Sequence, residues 1–125
     1  MNAKILVVEN DPDILQIISH VLADEGYKPI PCQNEYGIFD VISEQKPDAI
    51  LLDVIRPTEQ GTVLCREIKA AETTKHIPVI VLSTHAEIET VKEICADEVV
   101  KKPFDIDYLL AIIKEQLTDD FSVAS

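Results

Sequence analysis

The feature that most constrains the fold is a series of short aliphatic runs separated by segments with helical periodicity. Three of these runs, at 4–8, 49–52 and 79–82, are almost continuously apolar. Such runs are typical of strands that are covered on both faces of a parallel sheet. Two weaker runs, at 28–32 and 99–101, bring the number of predicted strands to five.

Five predicted helices alternate with these strands. The first is the best defined, because Asp11 is a suitable N-cap, Pro12 suits the first helical position, and Gly26 lies where a helix C-cap glycine is expected. Asp105 is the expected cap of the last helix. The apolar residues that mark the helices in chain order are Ile14, Ile17, Ile18, Val21 and Leu22; Phe39 and Ile42; Leu64, Cys65 and Ile68; Ile88, Val91, Ile94 and Cys95; and Ile106, Leu109, Leu110, Ile113 and Leu117.

The alternation predicts an α/β fold. The specific architecture is a (βα)5 flavodoxin-like, doubly wound parallel sheet with strand order 2-1-3-4-5. A chain of 125 residues fits one compact domain with its own core. We therefore assign residues 1–118 to a single domain and residues 119–125 to a polar C-terminal tail.

The charge of the chain restricts its partners. The net charge is −12, from 23 acidic and 11 basic residues. This balance argues against nucleic-acid binding, which requires a basic face, and against an anionic membrane surface, but it permits a divalent cation or a basic protein. The first apolar run is too short for a signal peptide or a membrane span, so the expected location is the cytoplasm.

The three cysteines, Cys32, Cys65 and Cys95, do not form a recognisable pattern. Their number is odd and there is no CxxC motif, which argues against a disulfide framework. Cys65 and Cys95 fall on apolar helix faces. We expect them to be buried as small hydrophobic residues rather than to act as reactive thiols.

Polar residues follow four of the five predicted strands. In parallel sheets of this kind, ligands bind beyond the carboxyl ends of the strands, so these side chains should lie along one edge. Each has a structural alternative, such as an N-cap, a loop contact or a solvated surface charge, but their joint placement favours a functional site. The residues are Glu9, Asn10 and Asp11 after the first strand, Asp53 after the third, Ser83 and Thr84 after the fourth, and Lys102 after the fifth.

These residue types suit phosphoryl chemistry. Two neighbouring carboxylates, Glu9 and Asp53, repel each other unless a cation lies between them, and oxygen ligands of this kind suit Mg²⁺. Lys102 adds a compact positive charge and Ser83 adds a hydroxyl donor. Since an aspartate can act as a nucleophile and form an acyl phosphate, Asp53 is the candidate acceptor.

The sequence resembles the response-regulator receiver (CheY-like) domain over about residues 3–118. The resemblance is carried by ILVVENDPDIL (5–15), PDAILLDVIRPTEQG (47–61), IPVIVLSTHAE (77–87) and ADEVVKKPFD (96–105). The combination of an acidic turn, an LLD…P…G loop, a hydroxyl after the fourth strand and a K-P-F turn is specific, although each motif alone is weak.

The resemblance implies a function in two-component phosphorelay signalling. A sensor histidine kinase would donate a phosphoryl group to Asp53, and the domain would catalyse only its own phosphorylation and slow dephosphorylation, so it is not expected to be an enzyme. The implied Mg²⁺ ligands are Glu9, Asn10, Asp53 and the backbone carbonyl of Ile55.

The remaining implied roles concern the phosphoryl group and the output surface. Ser83 would move to bind the phosphoryl group, Thr84 would line the access route, and Lys102 would contact the phosphate through a turn with a cis Lys102–Pro103 bond. The face formed by the fourth predicted helix, the fifth strand and the fifth predicted helix would bind a downstream protein, and a homodimer through this face is an alternative. That face carries Asp97, Glu98, Lys101 and Asp107.

Two departures from the family pattern leave an alternative open. Asn10 stands where the family usually has an aspartate that binds Mg²⁺, so we expect weaker Mg²⁺ binding, with partial compensation by Asp11. Val99 stands where a switch aromatic is usual, which puts in doubt the coupling between Ser83 and the output face. The alternative is an atypical receiver, or pseudo-receiver, that acts as a phosphorylation-independent interaction module.

Two other classes fit less well. Phosphatases of the haloacid dehalogenase type also use a strand-end aspartate, but they require a second aspartate two residues later, where this chain has Ile55. A flavodoxin shares the predicted fold, but the acidic segment 9–13 would repel the phosphate of a flavin nucleotide.

Overall fold

The structure of the chain, a computed structural model, describes residues 2–54, 62–85, 92 and 95–124, with 118–124 described by their backbone only. Within these residues the strands form one parallel sheet in the order β2-β1-β3-β4-β5, which confirms the predicted fold class and strand order. The strands are β1 (Lys4–Val8), β2 (Lys28–Cys32), β3 (Ala49–Asp53), β4 (Val79–Ser83) and β5 (Glu98–Lys101).

Four helices are described. Of the predicted helix marked by Ile88, Val91, Ile94 and Cys95, the structure describes only Lys92 and Cys95, and Cys95 is in the turn that precedes β5. The last helix continues past residue 118, so its backbone includes most of the predicted tail, and the domain boundary at that residue stays a prediction. The helices are α1 (Pro12–Asp24), α2 (Ile38–Gln45), α3 (Val63–Ala70) and α4 (Ile106–Ala124).

Alternating strand residues divide the core into two layers, because successive side chains of a strand point to opposite faces of the sheet. Leu6 and Val8 lie in a cluster with the buried residues of α2 and α3, whereas Ile5 and Val7 lie in a cluster with those of α1 and α4. The helix α2 buries Ile38 and Ile42, four residues apart, while Phe39, one of its sequence markers, is exposed.

The predicted helix caps are confirmed. The Asp11 carboxylate accepts hydrogen bonds from the backbone N–H groups of Asp13 (2.9 Å) and Ile14 (3.3 Å) at the start of α1. Gly26 follows the end of that helix with a φ of +90°, a conformation that favours glycine. The Asp105 carboxylate accepts a hydrogen bond of 2.8 Å from the N–H of Asp107 at the start of α4.

The strand β2 lies at one edge of the sheet. The N–H of Lys28 donates to the carbonyl of Ala3, and the N–H of Glu9 donates to the carbonyl of Cys32, so residues 28 and 32 face β1. Since the direction of the backbone groups alternates along a strand, Pro29 and Pro31 face the free edge, where a missing N–H costs no ladder hydrogen bond.

A partly buried salt bridge holds α3 against the turn before β5. The Lys69 ammonium lies 2.8 Å from the Asp97 carboxylate and 3.0 Å from the carbonyl oxygen of Ile77. The same carboxylate oxygen of Asp97 accepts a hydrogen bond from the N–H of Val79 (2.8 Å). This contact joins α3 to the segments that lead into β4 and β5.

The prediction that Cys65 and Cys95 are separate, non-bonded residues is wrong. The two residues form a disulfide, with their Cα atoms 5.9 Å apart, and Cys65 is fully buried as expected. They are 30 residues apart in sequence, so their pairing depends on how α3 packs against the turn before β5. Neither the number nor the spacing of the cysteines carries that information. Cys32 is free and partly buried.

Across the part of the chain that the structure describes, we find no helix with both the length and the apolar character needed to cross a membrane.

Candidate functional site

The carboxyl edge of the sheet brings together three ionisable side chains from different strands. Glu9 follows β1, Asp53 is the last residue of β3, and Lys102 follows β5. The strand register places Val8 beside Leu52 in the neighbouring strands, so Glu9 and Asp53 emerge side by side. The sequence grouped these residues along one edge, and the structure places them in direct contact.

Lys102 bridges the two carboxylates. Its ammonium nitrogen lies 2.6 Å from Oε1 of Glu9 and 3.0 Å from Oδ1 of Asp53. The side chains of Lys102 and Asp53 are each only 12% exposed. Because two negative charges meet one positive charge here, the fully ionised cluster carries one excess negative charge, and it can accept a further cation.

Glu9 has the least favourable environment for a negative charge among the three residues of the cluster. It is 1% exposed, and its Oε2 atom has no hydrogen-bond partner in the described part of the chain. Burial raises the pKa of Glu9 to about 7, and the neighbouring Asp53 adds to the rise while Lys102 opposes it. Glu9 is therefore partly protonated near neutral pH.

The pKa of Lys102 is raised as well. Burial alone lowers the pKa of Lys102, but its hydrogen bonds to Glu9 and Asp53 outweigh that effect and leave the pKa above its usual value. Lys102 consequently remains a cation at neutral pH, beside the residue that the sequence identifies as the acceptor.

The donor atoms of this cluster fit a hard divalent cation. Glu9 and Asp53 supply carboxylate oxygens, one of them buried and unpartnered, and Asn10 follows Glu9 directly with an amide oxygen. Oxygen donors of this type suit Mg²⁺. Among the described residues there is no group of three or more His, Cys, Asp or Glu side chains arranged for a metal.

Two further residues, Asp11 and Ile55, were also predicted to contribute to the metal site. The carboxylate of Asp11 caps α1 through its Oδ1 atom, and the expected partial compensation for Asn10 stays a prediction. Ile55, predicted to supply a backbone carbonyl, lies outside the described residues.

Ser83 and Thr84 follow Asp53 on the neighbouring strand. Ser83 ends β4 and is 1% exposed, and its hydroxyl oxygen accepts a hydrogen bond of 3.1 Å from the N–H of His85. The N–H of Lys102 donates to the carbonyl of Ser83 (2.8 Å). Thr84 is exposed at the same edge, and its role along an access route stays a prediction.

The peptide bond that positions Lys102 matches the expectation. The bond between Lys102 and Pro103 is cis, as the family resemblance implied.

A cleft beside Asp53 was not predicted from the sequence. It has a volume of about 560 Å³, and it is lined by Asn10 and Asp53 together with residues 33–36 of the loop after β2. Tyr36 in this loop is 91% exposed, and its N–H bonds the side chain of Asn34 (2.9 Å). The run Gln-Asn-Glu-Tyr signals only a polar turn, so no sequence feature connected it with the site.

The sequence matches the response regulator receiver domain family over residues 5–114. The chain is a receiver domain. As such, it functions in two-component signal transduction, and its relatives and structural neighbours carry names of the same kind. Receiver domains generally bind Mg²⁺ at the site of phosphorylation.

Two relatives from Bacillus subtilis (strain 168) illustrate this membership. The receiver domain is 33% identical over 117 residues to the transcriptional regulatory protein YxdJ, covering 91% of this chain but only 50% of that protein. It is 30% identical over 120 residues to sporulation initiation phosphotransferase F, covering 94% of this chain and 95% of that protein. The chain thus spans about half of the first relative and nearly all of the second.

A solved receiver domain has a similar fold and sequence. The signal receiver domain of a signal transduction histidine kinase from Syntrophus aciditrophicus is 30% identical, with a TM-score of 0.82, and the match covers 94% of this chain and 91% of that one. Receiver domains therefore occur in proteins of several architectures, including kinases and transcriptional regulators.

Proposed function

We propose that this receiver domain accepts a phosphoryl group on Asp53 from a sensor histidine kinase and thereby changes its binding to a downstream protein. The observation that carries the proposal is the contact of Lys102 with both Glu9 and Asp53 beside a cleft. A carboxylate nucleophile next to a fixed positive charge is what phosphoryl transfer requires, because the charge stabilises the phosphoryl oxygens in the transition state.

The proposed reaction is a direct displacement at phosphorus. A carboxylate oxygen of Asp53 forms the new bond to phosphorus, and the bond from phosphorus to the donor's leaving atom breaks, with its electron pair going to the donor. With acetyl phosphate the products are aspartyl phosphate and acetate, so charge and atoms balance. Lys102 transfers a hydrogen bond from Asp53 to a phosphoryl oxygen, and Ser83 donates to another.

We assign the cation site to Glu9, Asn10 and Asp53, with the backbone carbonyl of Ile55 as a further proposed ligand. When bound, Mg²⁺ supplies positive charge that neutralises the carboxylates and the phosphoryl oxygens. The unpartnered Oε2 of Glu9 supports this assignment, since a buried carboxylate oxygen without a hydrogen bond is costly unless something binds it.

The affinity for Mg²⁺ is expected to depend on pH through Glu9. Its pKa is raised to about 7, so the carboxylate is mostly protonated below that pH, and the proton must leave before the metal binds. We expect the Mg²⁺ dissociation constant to rise by up to about tenfold per pH unit as the pH falls below the pKa. Isothermal titration calorimetry from about pH 5.5 to 8.5 measures this dependence.

The matched variant for this prediction is Glu9→Gln, which keeps the shape of the side chain without its titration. It should bind Mg²⁺ more weakly at high pH and should show little pH dependence in this range. A parent protein whose Mg²⁺ affinity is constant across the range would contradict the role of Glu9 as a ligand.

The test of the proposed function is phosphorylation by acetyl phosphate, followed by intact mass. We expect the parent to gain one phosphoryl group in the presence of Mg²⁺ and none in excess chelator. The variant Asn10→Asp adds a charged ligand, so it should bind Mg²⁺ about tenfold more tightly and reach full labelling at lower Mg²⁺.

One result of this experiment favours the alternative. If the parent stays unlabelled while Asn10→Asp gains the group, the chain is a pseudo-receiver that acts through protein contacts alone. Asn10 is the specific observation behind this alternative, together with Val99, a buried valine that packs in the core where a switch aromatic is usual.

The proposed output surface includes β5 and α4. Two acidic residues predicted for that surface already form salt bridges within the chain, Asp97 with Lys69 (2.8 Å) and Glu98 with Lys92 (3.1 Å). A protein partner or a second copy of the chain would therefore compete for these carboxylates. We propose a cytoplasmic location, self-catalysed phosphoryl chemistry without turnover of a free substrate, and no binding to nucleic acid or membranes, in keeping with the net charge of −12.

A further inference from the structure

We propose that Cys65 and Cys95 are a reversible redox pair that makes phosphoryl acceptance by this receiver domain sensitive to thiol oxidation. Their Cα atoms are 5.9 Å apart, within the range of native disulfides, and they join α3 to the turn before β5. The part of this inference that concerns phosphorylation rests on the function proposed above.

The position of the pair connects it with the site. Cys65 lies in the first turn of α3, the helix that follows the segment after Asp53. Cys95 lies in the turn before β5, the strand that leads directly into Lys102. The disulfide therefore ties α3 to the strand that positions Lys102 beside Asp53.

The fold does not depend on this covalent bond to hold α3 in place. One helical turn further along α3, Lys69 already bonds Asp97 and the carbonyl of Ile77. Cys65 also belongs to the apolar cluster beneath α3, and Cys95 packs against the same cluster. Two free thiols would keep these contacts, because unpaired cysteine packs as a small hydrophobic residue. Both redox states are therefore compatible with the same overall structure.

The two cysteines differ in their exposure to solvent. Cys65 is fully buried, whereas Cys95 is partly exposed. A soluble oxidant or thiol must therefore react first at Cys95, and Cys65 then acts as the resolving thiol. With oxidised glutathione as the oxidant, Cys95 forms a mixed disulfide and releases one glutathione, and Cys65 then displaces the second. Two protein thiols are oxidised and one glutathione disulfide is reduced to two thiols.

The expected consequence is slower phosphorylation of the oxidised form. In the proposed reaction Lys102 shifts its hydrogen bond from Asp53 to a phosphoryl oxygen, and β5, the strand that leads into Lys102, begins shortly after Cys95. The disulfide restrains the turn before β5 against α3. Reduction removes this restraint and leaves the contact between Lys69 and Asp97 in place.

The first measurement counts thiols and does not depend on phosphorylation. The full chain is equilibrated in glutathione buffers of different reduced-to-oxidised ratio, quenched in acid, alkylated with N-ethylmaleimide in denaturant and weighed. We expect one alkylated cysteine, Cys32, in the oxidising buffer and three in the reducing buffer. Three alkylated cysteines in every buffer would show that the disulfide does not form and would overturn the proposal. One alkylated cysteine even in a large excess of reduced glutathione would show that the disulfide is permanent and would overturn its reversibility.

The second measurement is the rate of labelling by acetyl phosphate with Mg²⁺. The reduced parent should be labelled at least about fivefold faster than the oxidised parent. A fivefold change is the lower end of the usual range of coupling between two sites in a protein. The variants Cys95→Ser and Cys95→Ala should be labelled at the rate of the reduced parent in every glutathione buffer. The labelling rate of Cys32→Ser should depend on the buffer as that of the parent does. Equal rates in both redox states would overturn the regulatory role. If neither state is labelled, the proposed function fails, and the alkylation count alone decides the redox pair.

Discussion

The substitution Asp53→Asn is expected to abolish phosphoryl incorporation from acetyl phosphate. An amide oxygen is a poor nucleophile and cannot form an acyl phosphate, so no mass increase should appear even after long incubation. The loss should be complete, because Asp53 is the acceptor in the proposed reaction and has a cleft of about 560 Å³ beside it for the donor. Intact mass spectrometry at saturating Mg²⁺ is the measurement.

This variant should remain folded, which makes the result interpretable. Asp53 and Glu9 are like charges that share Lys102, and Asp53 contributes to the raised pKa of Glu9. Removal of one negative charge relieves that repulsion, while the amide oxygen can still accept a hydrogen bond from Lys102. The thermal midpoint should therefore be unchanged or higher. Asp40→Asn, on the exposed face of α2, is the matched control and should label normally. A phosphoryl group found on Asp53→Asn would place the acceptor elsewhere.

The substitution Lys102→Met is expected to slow labelling by about a hundredfold, the usual cost of losing one fixed charge or donor that stabilises a transition state. Methionine retains the length and much of the apolar stem of lysine, so packing should change little. Removal of the Lys102 ammonium group also affects the protonation of Glu9, because Lys102 opposes the rise in the Glu9 pKa. Without Lys102, Glu9 should hold its proton to higher pH.

The neighbouring lysine provides a close control for this variant. Lys101 ends β5 and is exposed, so Lys101→Met changes the net charge equally without touching the cluster. The initial rate of labelling should be near the parent value for Lys101→Met and far below it for Lys102→Met. Lys102→Arg should restore the charge but only part of the rate, because a planar guanidinium does not reproduce the compact ammonium. Equal rates for the two methionine variants would remove Lys102 from the proposed mechanism.

The sheet was predictable because its signal is local. Aliphatic runs bounded by polar residues define β1 and β2 with the same limits in sequence and structure. The strands β3 and β4 are each one residue longer than the aliphatic pattern, and the additional residues are Asp53 and Ser83. A polar residue can continue the backbone ladder even though its side chain breaks the apolar run, so hydropathy marks the strand end one residue early.

The grouping of Glu9, Asp53 and Lys102 at one edge of the sheet was predictable, but the contacts between them were not. The carboxyl ends of parallel strands meet at one edge of the sheet whatever the length of the loops, so the sequence alone groups Glu9, Asp53 and Lys102 there. Which oxygen Lys102 touches, and how deeply Glu9 is buried, depend on packing between strands that are distant in sequence. The disulfide between Cys65 and Cys95 depends on helix placement in the same way, and simple counting of cysteines gave the wrong answer for it.

The two prolines of β2 have a consequence for how this domain meets other chains. At the free edge of that strand, Pro29 and Pro31 present carbonyl groups but no N–H donors. An incoming strand would find two consecutive outward positions unable to donate, so it could not extend the sheet there. The domain thus resists fibril-like growth and peptide addition along β2, and any recognition that extends the sheet has to begin from the opposite side, at β5.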